Sequence, residues 1–125
     1  MLGRFVASNA CFVEAVRLDP KNAMAWYYLG THGGGSLGGK QKTAVECFIE
    51  AIHFDPKLYL AWINLGLEGG GIVHFRDRTD IECVSDALRI NSKYARAWYF
   101  LGHRGVAPWT PYIGLPLSVI SKQSV

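Results

Sequence analysis

The chain is short of charge. Only 18% of its 125 residues are Asp, Glu, Lys or Arg, and 13 basic against 10 acidic residues leave a formal net charge of +3, far from the dense basic stripe of a dedicated nucleic-acid binder. Cysteines are few as well: three, an odd number, in a chain with no visible export signal, which fits reduced thiols better than a disulfide framework. No long apolar run is present. The N-terminal apolar stretch is broken by Arg4, Glu14 and Arg17 and leads to no small-residue cleavage pattern, so no secretory signal is read there. The uncharged segment Val106 to Ser121 is too short to cross a bilayer comfortably and carries Pro108, Pro111 and Pro116. A cytoplasmic chain with no membrane contact is the expectation. Half the residues are hydrophobic, which excludes a disordered class and predicts one packed domain.

The chain repeats itself. Cys11, Cys47 and Cys83 are 36 residues apart, and so are Ala15, Ala51 and Ala87, Trp26, Trp62 and Trp98, Leu29, Leu65 and Leu101, and Gly30, Gly66 and Gly102. Cys11 to Gly30 and Cys47 to Gly66 share 11 of 20 positions, and Cys83 to Gly102 shares 10 of 20 with the first copy, far more than unrelated segments share. A fixed step of this size is the mark of a repeat architecture.

Each unit reads as two helices. In Ala44 to Phe54, Val45, Phe48, Ile49 and Ile52 have the three-and-four spacing of a helix that buries one face. Thr43 with Glu46, and Thr79 with Glu82, have capping-box spacing. We call these the B helices. Each runs into Asp19-Pro20, Asp55-Pro56 or Asn91-Ser92; the proline suits the first position of a following helix, and the Asp or Asn before it is expected to cap that helix. The A helices that follow span about Asn22 to Thr31, Leu58 to Leu67 and Tyr94 to His103. Their Trp and Leu share a face, and Gly lets a neighbouring helix approach. Gly33-Gly34-Gly35 and Gly69-Gly70-Gly71 are expected to end the first two A helices and act as flexible connectors.

With Ala-Trp-x-x-Leu-Gly at 25 to 30 and 61 to 66, followed by Ala44, Phe48, Ala51 and Pro56, and with Phe12, Ala15 and Pro20, then Val84 and Ala87, in the other B helices, the chain resembles the tetratricopeptide family over about residues 8 to 103. The family's usual repeat is two residues shorter; the extra residues are most simply placed in the glycine-rich A-to-B connection. Gly33 and Gly69 stand where the family has a large aromatic, Asp80 replaces the small residue seen at Ala44, and Ser92 replaces the proline. Sel1-like repeats, also long and glycine-interrupted, are the structural alternative. Both imply an all-α fold, an α-solenoid of antiparallel helical hairpins.

The helix order B-A-B-A-B-A over residues 1–103 leaves an irregular tail, 104–125, containing prolines. Solenoid ends need covering. The last A helix carries Trp98, Tyr99, Phe100 and Leu101, and Trp109, Tyr112, Ile113, Leu115 and Leu117 of the tail are expected to dock on it. The outline also fits a fragment of a longer array, and self-association through exposed ends is a further expectation.

Catalytic and metal readings find little support. Equivalent cysteines on stacked repeats lie about 8–10 Å apart, whereas zinc holds sulfurs at about 2.3 Å; three buried structural cysteines are expected instead. His32, His53, His74 and His103 share no repeat position and no metalloprotease spacing. The glycine runs lack the Gly-Lys-Ser/Thr ending of a phosphate loop; Gly38-Gly39-Lys40 is followed by Gln41. No enzymatic activity and no cofactor are expected.

In the family the A helices line a concave binding face, and the resemblance carries that face over to Met24, Tyr27, Thr31, Leu60, Ile63, Asn64, Leu67, Arg96, Tyr99 and His103. The implied function is a protein–protein interaction scaffold that takes a partner peptide or helix. Some members clamp a partner's C-terminal carboxylates with basic and Asn side chains; only Asn64 and Arg96 match that set, while Tyr27, Thr31 and Phe100 depart from it, so tail-carboxylate binding is disfavoured. An RNA-binding solenoid of the pentatricopeptide kind is the alternative, set back by the mild charge.

Overall fold

Thr43 and Thr79 start helices as their spacing demands. In the computed structural model, which describes residues 2–107 with side chains from Asn9 onward, the Thr43 hydroxyl accepts the Glu46 N–H at 3.2 Å while the Glu46 carboxylate accepts the Thr43 N–H at 2.9 Å. Thr79 and Glu82 do the same at 3.2 and 3.1 Å. The elements run α1 (Leu2–Leu18), α2 (Ala23–Thr31), β1 (Gly35–Leu37), β2 (Lys40–Lys42), α3 (Ala44–Phe54), α4 (Tyr59–Leu67), β3 (Gly71–Val73), β4 (Arg76–Arg78), α5 (Asp80–Ile90) and α6 (Ala95–His103). The B helices are thus α1, α3 and α5, the A helices α2, α4 and α6. The protein is mostly helical, and consecutive helices pack against one another along the chain. Among the described residues no helix is long and apolar enough to cross a membrane. The docked tail expected from Trp109, Tyr112, Ile113, Leu115 and Leu117 lies outside the described residues.

Repetition in sequence becomes repetition of contacts. The indole N–H of Trp26, Trp62 and Trp98 donates to the carbonyl six residues back, Pro20, Pro56 and Ser92, at 2.7, 2.9 and 2.8 Å. The acceptor belongs to the backbone, so serine replaces proline there without losing the bond. Leu29, Leu65 and Leu101 are fully buried, as are Phe48, Ile52, Val84 and Leu88 of the B helices. Gly30 and Gly66 bring each A helix onto the B helix after it. A Cβ on Gly30 would lie 2.7 Å from Phe48 Cε1, and one on Gly66 would lie 2.8 Å from Val84 Cγ2, inside any tolerable contact.

Three expectations are corrected. First, Asp55 and Asn91 do not cap the helices that follow them: their side chains accept from the N–H groups of Lys57 and Lys93 at 3.1 and 3.2 Å, the local Asx geometry of a turn. Pro20 and Pro56 sit in that turn, so α2, α4 and α6 begin later, after Asn22, Leu58 and Tyr94, and only Asn22 supplies a side-chain cap, to Ala25 N–H. Second, Cys47 and Cys83 are fully buried but Cys11 is exposed. The buried pair pack under A helices that precede them, and among the described residues α1 has no helix before it.

The third concerns the glycine runs. They do end α2 and α4, with Gly34 and Gly70 N–H groups closing back onto the Leu29 and Leu65 carbonyls at 2.9 Å, the six-to-one bond of a Schellman ending. They are not flexible connectors, however. Each opens an antiparallel hairpin, Gly35–Leu37 on Lys40–Lys42 and Gly71–Val73 on Arg76–Arg78. The two-residue turns have positive φ at both positions, 57° and 81° for Gly38 and Gly39, 51° and 65° for His74 and Phe75, as a type I′ hairpin turn requires. Gly34 and Gly70 admit no side chain: their φ values are 86° and 89°, and a Cβ would fall 2.0 Å from Lys42 O and 2.1 Å from Arg78 O. Each hairpin leans on the preceding B helix, β1 on α1 and β3 on α3, where Val73 is buried to 1% exposure. Arg78 ties the second hairpin forward: it meets Asp86 of α5 at 2.5 Å and lies 5.6 Å over the Trp62 ring.

Candidate functional site

The A helices are nearly free of charge. α2 and α4 carry no Asp, Glu, Lys or Arg at all, and α6 adds only Arg96 with His103. Apolar and aromatic positions recur on them because the 36-residue step returns the same side of the helix in each unit: Met24, Leu60 and Arg96 are equivalent, then Tyr27, Ile63 and Tyr99, then Thr31, Leu67 and His103.

Five of the ten expected residues meet. Ile63, Leu67, Arg96, Tyr99 and His103 line an open cleft of about 220 Å³ between α4, α5 and α6, together with Val84 and Phe100. Leu67 and Tyr99 are well exposed, at 51% and 66%, whereas Ile63 is 4% exposed. Ile63 therefore forms the floor of the cleft. Arg96 brings a positive charge and His103 an imidazole, and among the described residues no acidic side chain lines the cleft.

Tyr27 and Asn64 meet elsewhere on the same side. The Asn64 amide donates to the Tyr27 hydroxyl at 3.3 Å and to the Leu60 carbonyl at 2.8 Å, which couples α2 to α4. Burial pushes the Tyr27 phenol above its ordinary pKa, and the Asn64 bond works against that rise. The Tyr27 ring lies edge-on to Tyr28 at 5.4 Å and tilted against Phe48 at 6.1 Å, so it also serves packing. Leu60 is partly buried. Met24 and Thr31 are exposed and do not reach the cleft; the Thr31 hydroxyl donates to the Tyr28 carbonyl at 2.8 Å, closing the end of its own helix.

The chain matches no family model and no curated protein.

Two residues of this side stand outside the expected set. Tyr28 and Phe100 are the repeat equivalents of Asn64, so the periodicity that selected Asn64 already pointed to them; Tyr28 is 45% exposed and Phe100 lines the cleft. The hairpin tip was missed although Gly38-Gly39, its equivalent one repeat earlier, is a two-residue turn signature. Phe75 is fully exposed and Ile72 64% exposed. They border a second cleft, of about 420 Å³, against Ile49, Glu50, His53 and Phe54 of α3, where the His53 and His74 rings lie 5.9 Å apart. A third opening, about 580 Å³, lies beside α1 and the first hairpin and is walled by Asn9, Ala10, Val13, His32, Gly35, Ser36 and Gln41. Among the described residues its lining holds no Leu, Ile, Phe, Tyr or Trp side chain, whereas the smaller α4–α6 cleft holds Ile63, Leu67, Tyr99 and Phe100.

Nucleophilic chemistry has no foothold at the buried cysteines. Burial pushes the thiol of Cys47 up to about 11 and that of Cys83 up to about 12, which keeps both protonated at neutral pH. Among the described residues no three His, Cys, Asp or Glu side chains converge as a metal site.

Proposed function

We propose that the chain is a tetratricopeptide-like α-solenoid whose job is to hold a peptide or helix of a partner protein along the side formed by its A helices. The observation that carries this reading is the α4–α6 cleft: a buried apolar floor at Ile63 and Val84, exposed apolar walls at Leu67 and Tyr99, and, among the described residues, no acidic lining. Exposed aromatic and aliphatic side chains around a preformed floor are what anchor residues of a bound segment need. The matching of helix ends, Trp anchors and Gly contacts at a 36-residue step supports the stack itself, since each module buries the face its neighbour leaves open. No catalytic group enters the proposal.

Selection from a displayed peptide library tests it. The wild-type chain is expected to enrich segments with apolar anchors, and Leu67→Ala or Tyr99→Ala to weaken the selected peptide by about tenfold, roughly 1.4 kcal/mol, with unchanged helicity. Undiminished affinity in both variants, or loss only on mutating the hairpin side, overturns the reading.

A further inference from the structure

Because every position recurs 36 residues on, each copy serves as a control for the others, and the mismatches fall at the two ends. On the B helices the internal residues Cys47, Ala51, Cys83 and Ala87 are at most 1% exposed. Their equivalents Cys11 and Ala15 on α1 are exposed. On the A helices the internal Gly30 and Gly66 are buried against the following B helix, whereas a Cβ on Gly102 of α6 would meet nothing within 4 Å among the described residues. Trp98, beside it, is less buried than Trp26 and Trp62.

The bare stripe on α1 is thus the surface that α3 and α5 press against an A helix, and the bare stripe on α6 is the surface that α2 and α4 press against a B helix. The two are halves of one interface already built twice in the molecule. We propose that the chain assembles head to tail with further copies of itself, α6 of one protomer seating on α1 of the next as α4 seats on α5. Cys11 and Phe12 then take the places of Cys83 and Val84 beside the glycine. Gly102 leaves room for such a neighbour at the distance α4 keeps from α5, and this continuity with the internal interface is why a second copy is the occupant that fits. The contact joins two different surfaces, so it leaves one of each free and propagates beyond a pair. It is independent of what the A-helix cleft binds.

Sedimentation of the full chain over a wide concentration range, read beside labelling of its own thiols with an aromatic disulfide reagent, tests this. The expected result is a weight-average mass that rises past the dimer with concentration, and labelling of Cys11 that slows in step while Cys47 and Cys83 stay protected. Ala15→Lys and Gly102→Lys, both at sites with room for a side chain, are each expected to remain monomeric with unchanged circular dichroism. Mixed in equal amounts they are expected to pair through their intact ends and stop at a heterodimer. A wild-type chain that is monomeric at every concentration, as it would be with its own tail seated on α6, overturns the proposal. So does a mass that halts at the dimer, a mixture that does not pair, or a Cys11 rate indifferent to concentration.

Discussion

Replacing Gly66 and Gly102 separately by alanine tests the packing with a built-in control, because both are helical positions one repeat apart. At Gly66 the new Cβ would lie 2.8 Å from Val84 Cγ2, 3.1 Å from the Asp80 carbonyl oxygen and 3.5 Å from Cys83 Cβ. None of these yields cheaply. Val84 and Cys83 are fully buried, and Asp80 is the first residue of α5, pinned by the Thr79–Glu82 capping box. Overpacking of this kind costs about 1–3 kcal/mol. Against it stands the helical preference for Ala over Gly, about 0.5–1 kcal/mol, so Gly66→Ala is expected to lose about 1 kcal/mol net. Gly102→Ala meets nothing among the described residues and should gain the preference alone, toward its lower end because the position is next to last in α6.

The two variants therefore differ by about 1.5 kcal/mol, or roughly 7 °C between melting midpoints for a domain of this size. Thermal unfolding followed by circular dichroism, at concentrations where sedimentation reports monomer, is sufficient to read it. Equal midpoints, or a Gly66→Ala variant more stable than the parent, would refute the claim that this glycine sets the α4–α5 distance.

Two other outcomes follow from local geometry. The His74-Phe75 turn holds two non-glycine residues at positive φ, with Phe75 fully exposed; the pair His74→Asn with Phe75→Gly is expected to raise stability by about 1–2 kcal/mol, and a lowered urea midpoint would contradict the turn assignment. Hydrogen bonding from Thr43 and Thr79, backbone N–H first, holds the carboxyls of Glu46 and Glu82 below the ordinary 4.5. A lowered folded pKa means stability that is present above the ordinary value and is lost as pH falls through the folded values, so Glu46→Gln with Glu82→Gln should flatten the acid limb of a stability–pH curve below pH 4.5; an unchanged slope there would sink the capping-box account.

What could be read from the sequence depended on range. The B helix Ala44–Phe54 has the span its apolar spacing and capping box predict, and the A helices end at Thr31, Leu67 and His103 as expected, because caps, glycine stops and helical periodicity are decided by residues within one or two turns. The glycine contacts were legible too, since a small residue at a fixed place in every unit has few uses other than close approach. The hairpins were not. Gly35-Ser36-Leu37 and Lys40-Gln41-Lys42 lack the alternating apolar pattern of strands, and in the second copy His74-Phe75 occupies a turn whose usual signature is Asn-Gly. What holds those strands is tertiary: Val73 set into the core, Arg78 drawn to Asp86 and Trp62. The candidate site divides along the same line. Period and resemblance together selected the side of the A helices, but which of its residues meet depends on the neighbouring B helix, and α5 contributes Val84 as the floor beside Ile63. Cys11 makes the point most sharply. Its sequence position equals that of two fully buried thiols, and it is exposed because burial in a repeat belongs to the neighbour, which no residue carries by itself.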